Sequence, residues 1–371
     1  MDTVITGENI SASKTAKEKL AKKYARIHQI ISFTGNVIFF TIILILLFTG
    51  LSKEIQNFAY TFTKNEYLAL LIFLSVIGIA ESVITFPIGF YSDYILEHKY
   101  NLSNQTLSKY FIEKAKGLLL GTAIGIPMLF AFYFILRTFD NNWWLVLGIF
   151  MFFVSVIIGR LAPTLIMPLF YKFKPVEEGN VKERILDLCK KTGIKIQGIF
   201  TFDMSKNTKK ANAAFTGMGK SKRIILGDTL MNSFTVEEIE TVFAHEMGHY
   251  TKKHILKMTV VSTVLTFTGL FITSRLYESS LGYFGFTGVS EIAALPLLFL
   301  YLSIYGLVTT PITNIQSRMY EWEADTFALD TTKDKAAFIS AMEKLADQNL
   351  ADKTPNKIIE FLFHSHPSLE K

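Results

Sequence analysis

Residues 31–52 read ISFTGNVIFFTIILILLFTGLS, twenty-two positions without an Asp, Glu, Lys or Arg. A helix rising ~1.5 Å per residue covers the ~30 Å hydrocarbon layer of a bilayer at about that length, so the stretch is read as a membrane span. Its apolar run exceeds the ~7–15 residues of a secretory signal core and no A-x-A site follows, so it is expected to stay in the chain. Five more blocks repeat the pattern: 117–136, 143–159, 258–274 and 292–317 without a charge, and 67–92 interrupted only by Glu81. Six transmembrane helices are expected. Composition agrees, with 50% hydrophobic residues, 33 Phe and only 19% charged residues, where soluble domains carry roughly 25%. Disorder and a collagen-like fibre are excluded. A single cysteine, Cys189, rules out an intramolecular disulfide framework and a Cys-rich metal cluster, so any metal must be held by His and carboxylates. The 38 Lys+Arg against 32 Asp+Glu, a formal charge of +6, suit loops beside anionic lipid. No basic, aromatic-interleaved motif appears, so the expected partners are a lipid bilayer and no nucleic acid.

Basic residues set the orientation. Lys14, Lys17, Lys19, Lys22, Lys23 and Arg26 precede the first block, and Lys99, Lys109, Lys114 and Lys116 lie between the second and third, which places both segments in the cytoplasm. The loops 53–66, 137–142 and 275–291 carry fewer basic residues. Alternation through six helices then brings 160–257 and 314–371 to the same cytoplasmic face. Four parts are expected: a membrane domain of four spans over 1–162, a water-compatible part over 163–257, two more spans over 258–313, and a C-terminal part over 314–371. In the second part a helix is predicted from Val181 to Lys191, ended by Gly193, with short strands at Gly198–Phe202, Ala213–Thr216 and Arg223–Leu226. Thr235 and Glu238 form a capping box that opens a helix reaching about Lys253. Further helices are predicted over 317–330, 334–347 and 355–363. The fold class is mainly α, polytopic in the membrane, with a small β-sheet in the water-compatible part. Glu81 lies in mid-span, where a carboxylate must face water, a partner or protein.

The predicted helix after Thr235 contains His245-Glu246-Met247-Gly248-His249. Residues four apart share a helix face, so both imidazoles can hold one cation while Glu246, about 100° round, reaches a water beside it. The pattern is H-E-x-x-H, a zinc site, with one Zn²⁺ per chain. Catalysis needs a third protein ligand and an open position. The metzincin continuation is excluded, because Lys252 and Ile255 stand where it requires Gly and His. The acidic cluster Glu321-Trp322-Glu323-Ala324-Asp325 follows the sixth block on the same side of the membrane and is the best source of a carboxylate. Glu321 stacks with Asp325 and with Arg318 at helical spacing, whereas Glu323 points about 200° away without such a pair. Glu321 is therefore the expected third ligand, and Asp325, one turn on, is placed to accept the second ring N–H of a ligating histidine. His254, five residues beyond His249 and about 140° round an unbroken helix, is expected to miss the metal.

These residues sit within a longer ordered set. It includes Glu97-His98-Lys99-Tyr100-Asn101, Asn104-Gln105-Thr106-Leu107, Met167-Pro168-Leu169-Phe170-Tyr171-Lys172-Phe173, Pro175 and Glu178-Gly179. It continues with Asn212-Ala213, Phe215, Gly217, Arg223-Ile224, Asp228-Thr229-Leu230, Ser317-Arg318, Ala324-Asp325, Phe327-Ala328 and His366-Pro367. With them the chain resembles the type I CAAX prenyl proteases, integral-membrane zinc metalloproteases of the gluzincin class. The resemblance implies a ring of transmembrane helices around a large water-filled chamber with the zinc site inside, and Glu81 would suit a chamber wall. It implies that Asn212 and Ala213 lie on an edge strand pairing with substrate backbone, and that His366 donates to the reaction's oxyanion. Eukaryotic members have seven spans where six are counted here, and the sequence stops at Lys371, where an Arg usually follows their His-Pro, so that Arg is either absent or trimmed.

The function expected is a membrane zinc endopeptidase acting on prenylated or other membrane-associated polypeptides, with Glu246 as general base. Two alternatives stand beside it. One is a general membrane quality-control protease with no prenyl requirement; the other is a transport or translocation helper with a structural zinc. A structural site would be closed by four protein ligands. The expected location is a prokaryotic inner membrane with the catalytic part facing the cytoplasm, or the endoplasmic reticulum membrane if the chain is eukaryotic.

Overall fold

The computed structural model describes residues 7–216 and 223–369, with side chains from residue 15. Gly217, Lys371 and the Lys14 side chain, each used in the sequence reading, lie outside the described residues. Six helices among those described are long and apolar enough to cross a membrane: Thr15–Phe48, Glu66–Lys99, Leu107–Thr138, Asp140–Phe170, His254–Ser280 and Ile292–Thr332. In order of the chain, α1 is Gly7–Phe48, α2 Leu51–Phe62, α3 Glu66–Phe90, α4 Leu107–Thr138 and α5 Trp143–Leu161. After the soluble elements come α9, His254–Ser280, and α10, Leu295–Thr332.

Burial along the spans is uneven. Ile43, Leu47, Leu70, Phe73, Tyr133, Leu136, Trp143, Leu147, Tyr277 and Leu295 form one buried cluster at the end away from the soluble part. No residue is buried in 25–42, 74–91, 111–132, 149–170, 255–268 or 299–319. The buried residues of the spans are therefore concentrated at one end, and their middle stretches are only partly covered by protein. Close contacts between neighbouring spans need small residues: a Cβ on Gly148 would lie 2.7 Å from the Phe267 ring, and one on Gly269 would lie 2.4 Å from that of Tyr305. Glu81 lines a cavity between α1, α3 and α10 with Phe39, Phe73 and Leu295. The loop expected at 53–66 is mostly the helix α2. Ser52 donates to the Ala293 carbonyl and the Gln56 amide oxygen accepts from Ala293 N–H at 2.8 Å, fastening α2 across the end that holds the buried cluster.

The soluble part holds a four-stranded sheet of β1 (Phe173–Pro175), β2 (Gly198–Phe202), β3 (Ala213–Thr216) and β4 (Arg223–Gly227), in the order β1-β2-β4-β3. β2 and β4 are parallel and the outer pairs antiparallel, so β3 is an edge strand. The three predicted strands coincide with β2, β3 and β4. β1 escaped prediction because three residues ending in Pro carry no period. Helix α6, Asn180–Thr192, ends on Gly193 at φ 69°, as expected of a left-handed C-terminal residue. A short α7, Asp228–Ser233, leads into α8, Val236–Thr251, which opens on the predicted capping box. Helices α11, Lys335–Gln348, and α12, Lys357–Phe363, complete the chain, capped by the Asp334 and Asn356 side chains.

Ile185 and Leu188 of α6, Ile224 and Leu226 of β4, and Ile239, Phe243 and Met247 of α8 share one buried cluster. Each such side chain contributes about 1.5–3 kcal/mol when fully buried, so α8 is pinned along one face and its opposite face is free for chemistry. Glu238 reinforces the anchor. Burial alone would raise its carboxyl, but hydrogen bonds from Lys344 and Ser340 of α11 and from Thr235 N–H outweigh that and hold it below the usual range.

Candidate metal centre and active site

The free face of α8 carries His245, Glu246 and His249. α10 runs without a break from the sixth span into the acidic cluster, and it crosses α8 so closely that a Cβ on Gly248 would lie 2.9 Å from Ala324 Cα. That crossing brings Glu321 to the histidines. His245 Nε2 and His249 Nε2 are 3.1 Å apart, Glu321 Oε2 is 3.3 Å from the first and Oε1 3.5 Å from the second. Bonds of about 2.0–2.1 Å in a tetrahedral site require ligand atoms about 3.3 Å apart. The donor set fits such an ion. His245 Nδ1 lies 2.7 Å from Asp325 Oδ1, so the ring N–H sits there and Nε2 presents a lone pair inward. Lone pairs and a carboxylate converging at these distances repel one another unless a cation lies between them. Among the described residues the cluster that could hold a metal is His245, His249 and Glu321, which leaves a fourth position open.

Glu246 is placed on the same side as the edge strand. Gly227 N–H donates to the Asn212 carbonyl at 2.8 Å, so the Asn212 peptide faces β4, and by alternation the Ala213 and Phe215 peptides face outward. Phe215 N–H hydrogen-bonds the Glu246 carboxylate. Burial raises the Glu246 carboxyl above the ordinary range; the adjoining histidines pull it down and Glu321 pushes it up again.

His366 Nδ1 lies 3.0 Å from Glu321 Oε2. Arg318 bears on it indirectly: its guanidinium donates to the Glu360 and His364 carbonyls at the end of α12, and Ser368 N–H donates to Glu360 Oε1 at 3.2 Å. The tail carrying His366 is thus tied to the helix carrying Glu321.

Two residues have partners that helical spacing does not reveal, although His254 stays outside the metal cluster as expected. α8 stops at Thr251, not about Lys253, because Lys253 takes a left-handed conformation at φ 58°. The 140° rotation expected for His254 assumed an unbroken helix. His254 instead reaches back to put Nδ1 3.1 Å from His249 Nδ1, behind the ligand and outside the metal cluster. Glu323, which has no partner at helical spacing on its own helix, lies 3.0 Å from His254 Nε2 and 3.4 Å from Lys257 Nζ of α9.

Residues 175–371 match the peptidase family M48, and residues 9–172 match the family described as CAAX prenyl protease N-terminal, five membrane helices. The chain belongs to the CAAX prenyl protease branch of peptidase family M48. It is 31% identical to CAAX prenyl protease 1 of Saccharomyces cerevisiae over 81% of this chain and 70% of that protein. With an uncharacterized metalloprotease of Bacillus subtilis, YhfN, it shares 26% identity over 97% of this chain and 85% of that one. The crystal structure of S. mikatae Ste24p superposes with a TM-score of 0.86 at 27% identity, covering 100% of this chain and 90% of Ste24p. This M48 protein is a multi-pass membrane metalloprotease.

In the M48 protease, Gly248 sets the distance between α8 and α10. Gly248→Ala places a methyl group against Ala324 backbone, which cannot rotate away. The expected result is destabilisation of about 1–3 kcal/mol, together with weaker metal retention because Glu321 rides on the displaced helix. Thermal unfolding and metal content of the purified variant check it; wild-type values for both would show that the crossing does not set the site.

Proposed function

We propose that the chain is a zinc endopeptidase that cuts prenylated or otherwise membrane-associated polypeptides. The observation that carries this is the three-ligand cluster with an open position beside Glu246. Two imidazoles with one carboxylate favour zinc over the harder magnesium or calcium. When bound, zinc would supply Lewis acidity, polarising a peptide carbonyl and lowering the pKa of a water toward about 7. Glu246 accepts the proton from the attacking water and returns it to the leaving amine. Its burial and the Phe215 N–H keep the carboxylate aimed along the edge strand. The substrate lies extended beside β3, pairing with the outward Ala213 peptide, while Asn212, its own backbone committed to β4, contributes its side chain. His366 donates to the carbonyl oxygen as that oxygen gains charge. Arg318 holds the tail that presents His366, and Asp325 orients His245.

The substrate class rests on the relatives named CAAX prenyl protease and on the six membrane spans, which hold the site beside a bilayer. The basic segments support a cytoplasmic catalytic face, here in a prokaryotic inner membrane. The second reading is a quality-control protease indifferent to prenylation.

One experiment separates these. Detergent-purified protein is given farnesylated and unfarnesylated copies of one peptide, with and without chelator. Preferential, chelator-sensitive cleavage of the farnesylated copy is expected. Equal cleavage of both supports the second reading, and no cleavage of either supports a transport role with a structural metal.

A further inference from the structure

The two histidines of the cluster are supported from behind in different ways. His245 donates its Nδ1–H directly to a carboxylate, Asp325. His249 faces another imidazole, that of His254, at 3.1 Å, and His254 Nε2 in turn faces Glu323 Oε2 at 3.0 Å. Two ring nitrogens at hydrogen-bonding distance share one proton, and the group at the far end decides which ring owns it. Glu323 accepts the His254 Nε2–H. His254 Nδ1 then carries a lone pair and accepts the Nδ1–H of His249, which leaves His249 Nε2 unprotonated and aimed at Glu321 and His245.

The surroundings hold this order in place. His254 is 1% exposed, and its ring stacks on Tyr320 at 4.3 Å and 10°. Lys257 lies 3.4 Å from the same Glu323 oxygen and 5.2 Å over the Tyr320 ring, so it steadies the carboxylate and the stacked platform together. The left-handed turn at Lys253 is what delivers His254 to this spot, a backbone conformation that a non-glycine residue adopts at a cost of about 1–2 kcal/mol. His254 opens α9 and Glu323 belongs to α10, so the contact also joins the two helices that flank the site.

We propose that His254 and Glu323 are positioning residues that fix the tautomer and orientation of His249 for the metal. The inference rests on the proposed metalloprotease reading. Outer partners of this kind typically change metal affinity by about 10–100-fold. His254→Phe keeps the stack on Tyr320 and removes both nitrogens; Glu323→Ala removes the outer carboxylate and leaves the buried ring. Purified wild type and variants are loaded with zinc and titrated with a chelator, with metal content and thermal unfolding read in parallel. The expected result is a chelator midpoint lowered about 10–100-fold in His254→Phe, a smaller shift in Glu323→Ala, and partial recovery in Glu323→Gln, whose amide oxygen still accepts. Should His254→Phe fail to fold, the Glu323 pair decides. Wild type that binds no zinc overturns the metalloprotease reading; wild type that binds one zinc, with every folded variant matching its midpoint, overturns the relay alone.

Discussion

Glu246→Gln retains its metal and loses peptide cleavage by about 10²–10⁴-fold, the range expected when a general base is removed from a site otherwise intact. The substitution is nearly isosteric. Its amide oxygen still accepts the Phe215 N–H that holds the wild-type carboxylate, so the side chain keeps its place beside the edge strand. What disappears is a group able to take a proton from water and hand it on. Glu246 is not part of the cluster formed by His245, His249 and Glu321, so chelator titration of the variant should superpose on wild type. Cleavage at the wild-type rate by a fully zinc-loaded variant would remove Glu246 from the mechanism and leave the site without a base.

Glu321→Ala is the second large effect, and it acts on the metal itself. The residue is 8% exposed and contributes two oxygens that face both histidines and His366. Truncation leaves two imidazoles converging at 3.1 Å without the carboxylate that faces both inner nitrogens, and zinc retention should fall by more than the roughly 100-fold that an outer partner costs. Glu323→Ala, two residues away on the same helix, touches the metal only through His254 and should cost far less. Chelator competition on both variants ranks them. The opposite ranking would transfer the ligand role to Glu323.

These two glutamates show where sequence reasoning reached and where it stopped. Helical spacing alone separates Glu321 from Glu323, because a residue two positions on points to the far side of any regular helix. Whether that far side is empty is a separate question. Glu323 has a partner there, and it comes from α9, brought round by a left-handed residue in a Lys-Lys pair that carries no glycine or asparagine to announce it. The same limit applies at Gly248, which in sequence is one x of H-E-x-x-H and in space is the contact with Ala324 that lets α10 approach. Arg318 reads as a helix neighbour of Glu321, yet its guanidinium is spent on the carbonyls at the end of α12.

The membrane spans were legible because hydrocarbon offers no hydrogen-bond partners. A spanning segment must satisfy its own backbone as a helix and present an unbroken apolar surface, and that requirement is written contiguously in the chain. The helix that brings His245 and His249 to one face was legible for a similar reason, since i to i+4 spacing is local. Which apolar residues are buried was not legible from composition, because an apolar residue facing lipid or a neighbour looks the same in a linear string. Only the tertiary structure decided that the buried cluster of the spans lies at one end, which nitrogen of each histidine turns inward, and what stands behind it. Those are relations between atoms far apart in sequence, governed by packing distances and proton sharing, and they exist once helices separated by scores of residues have crossed.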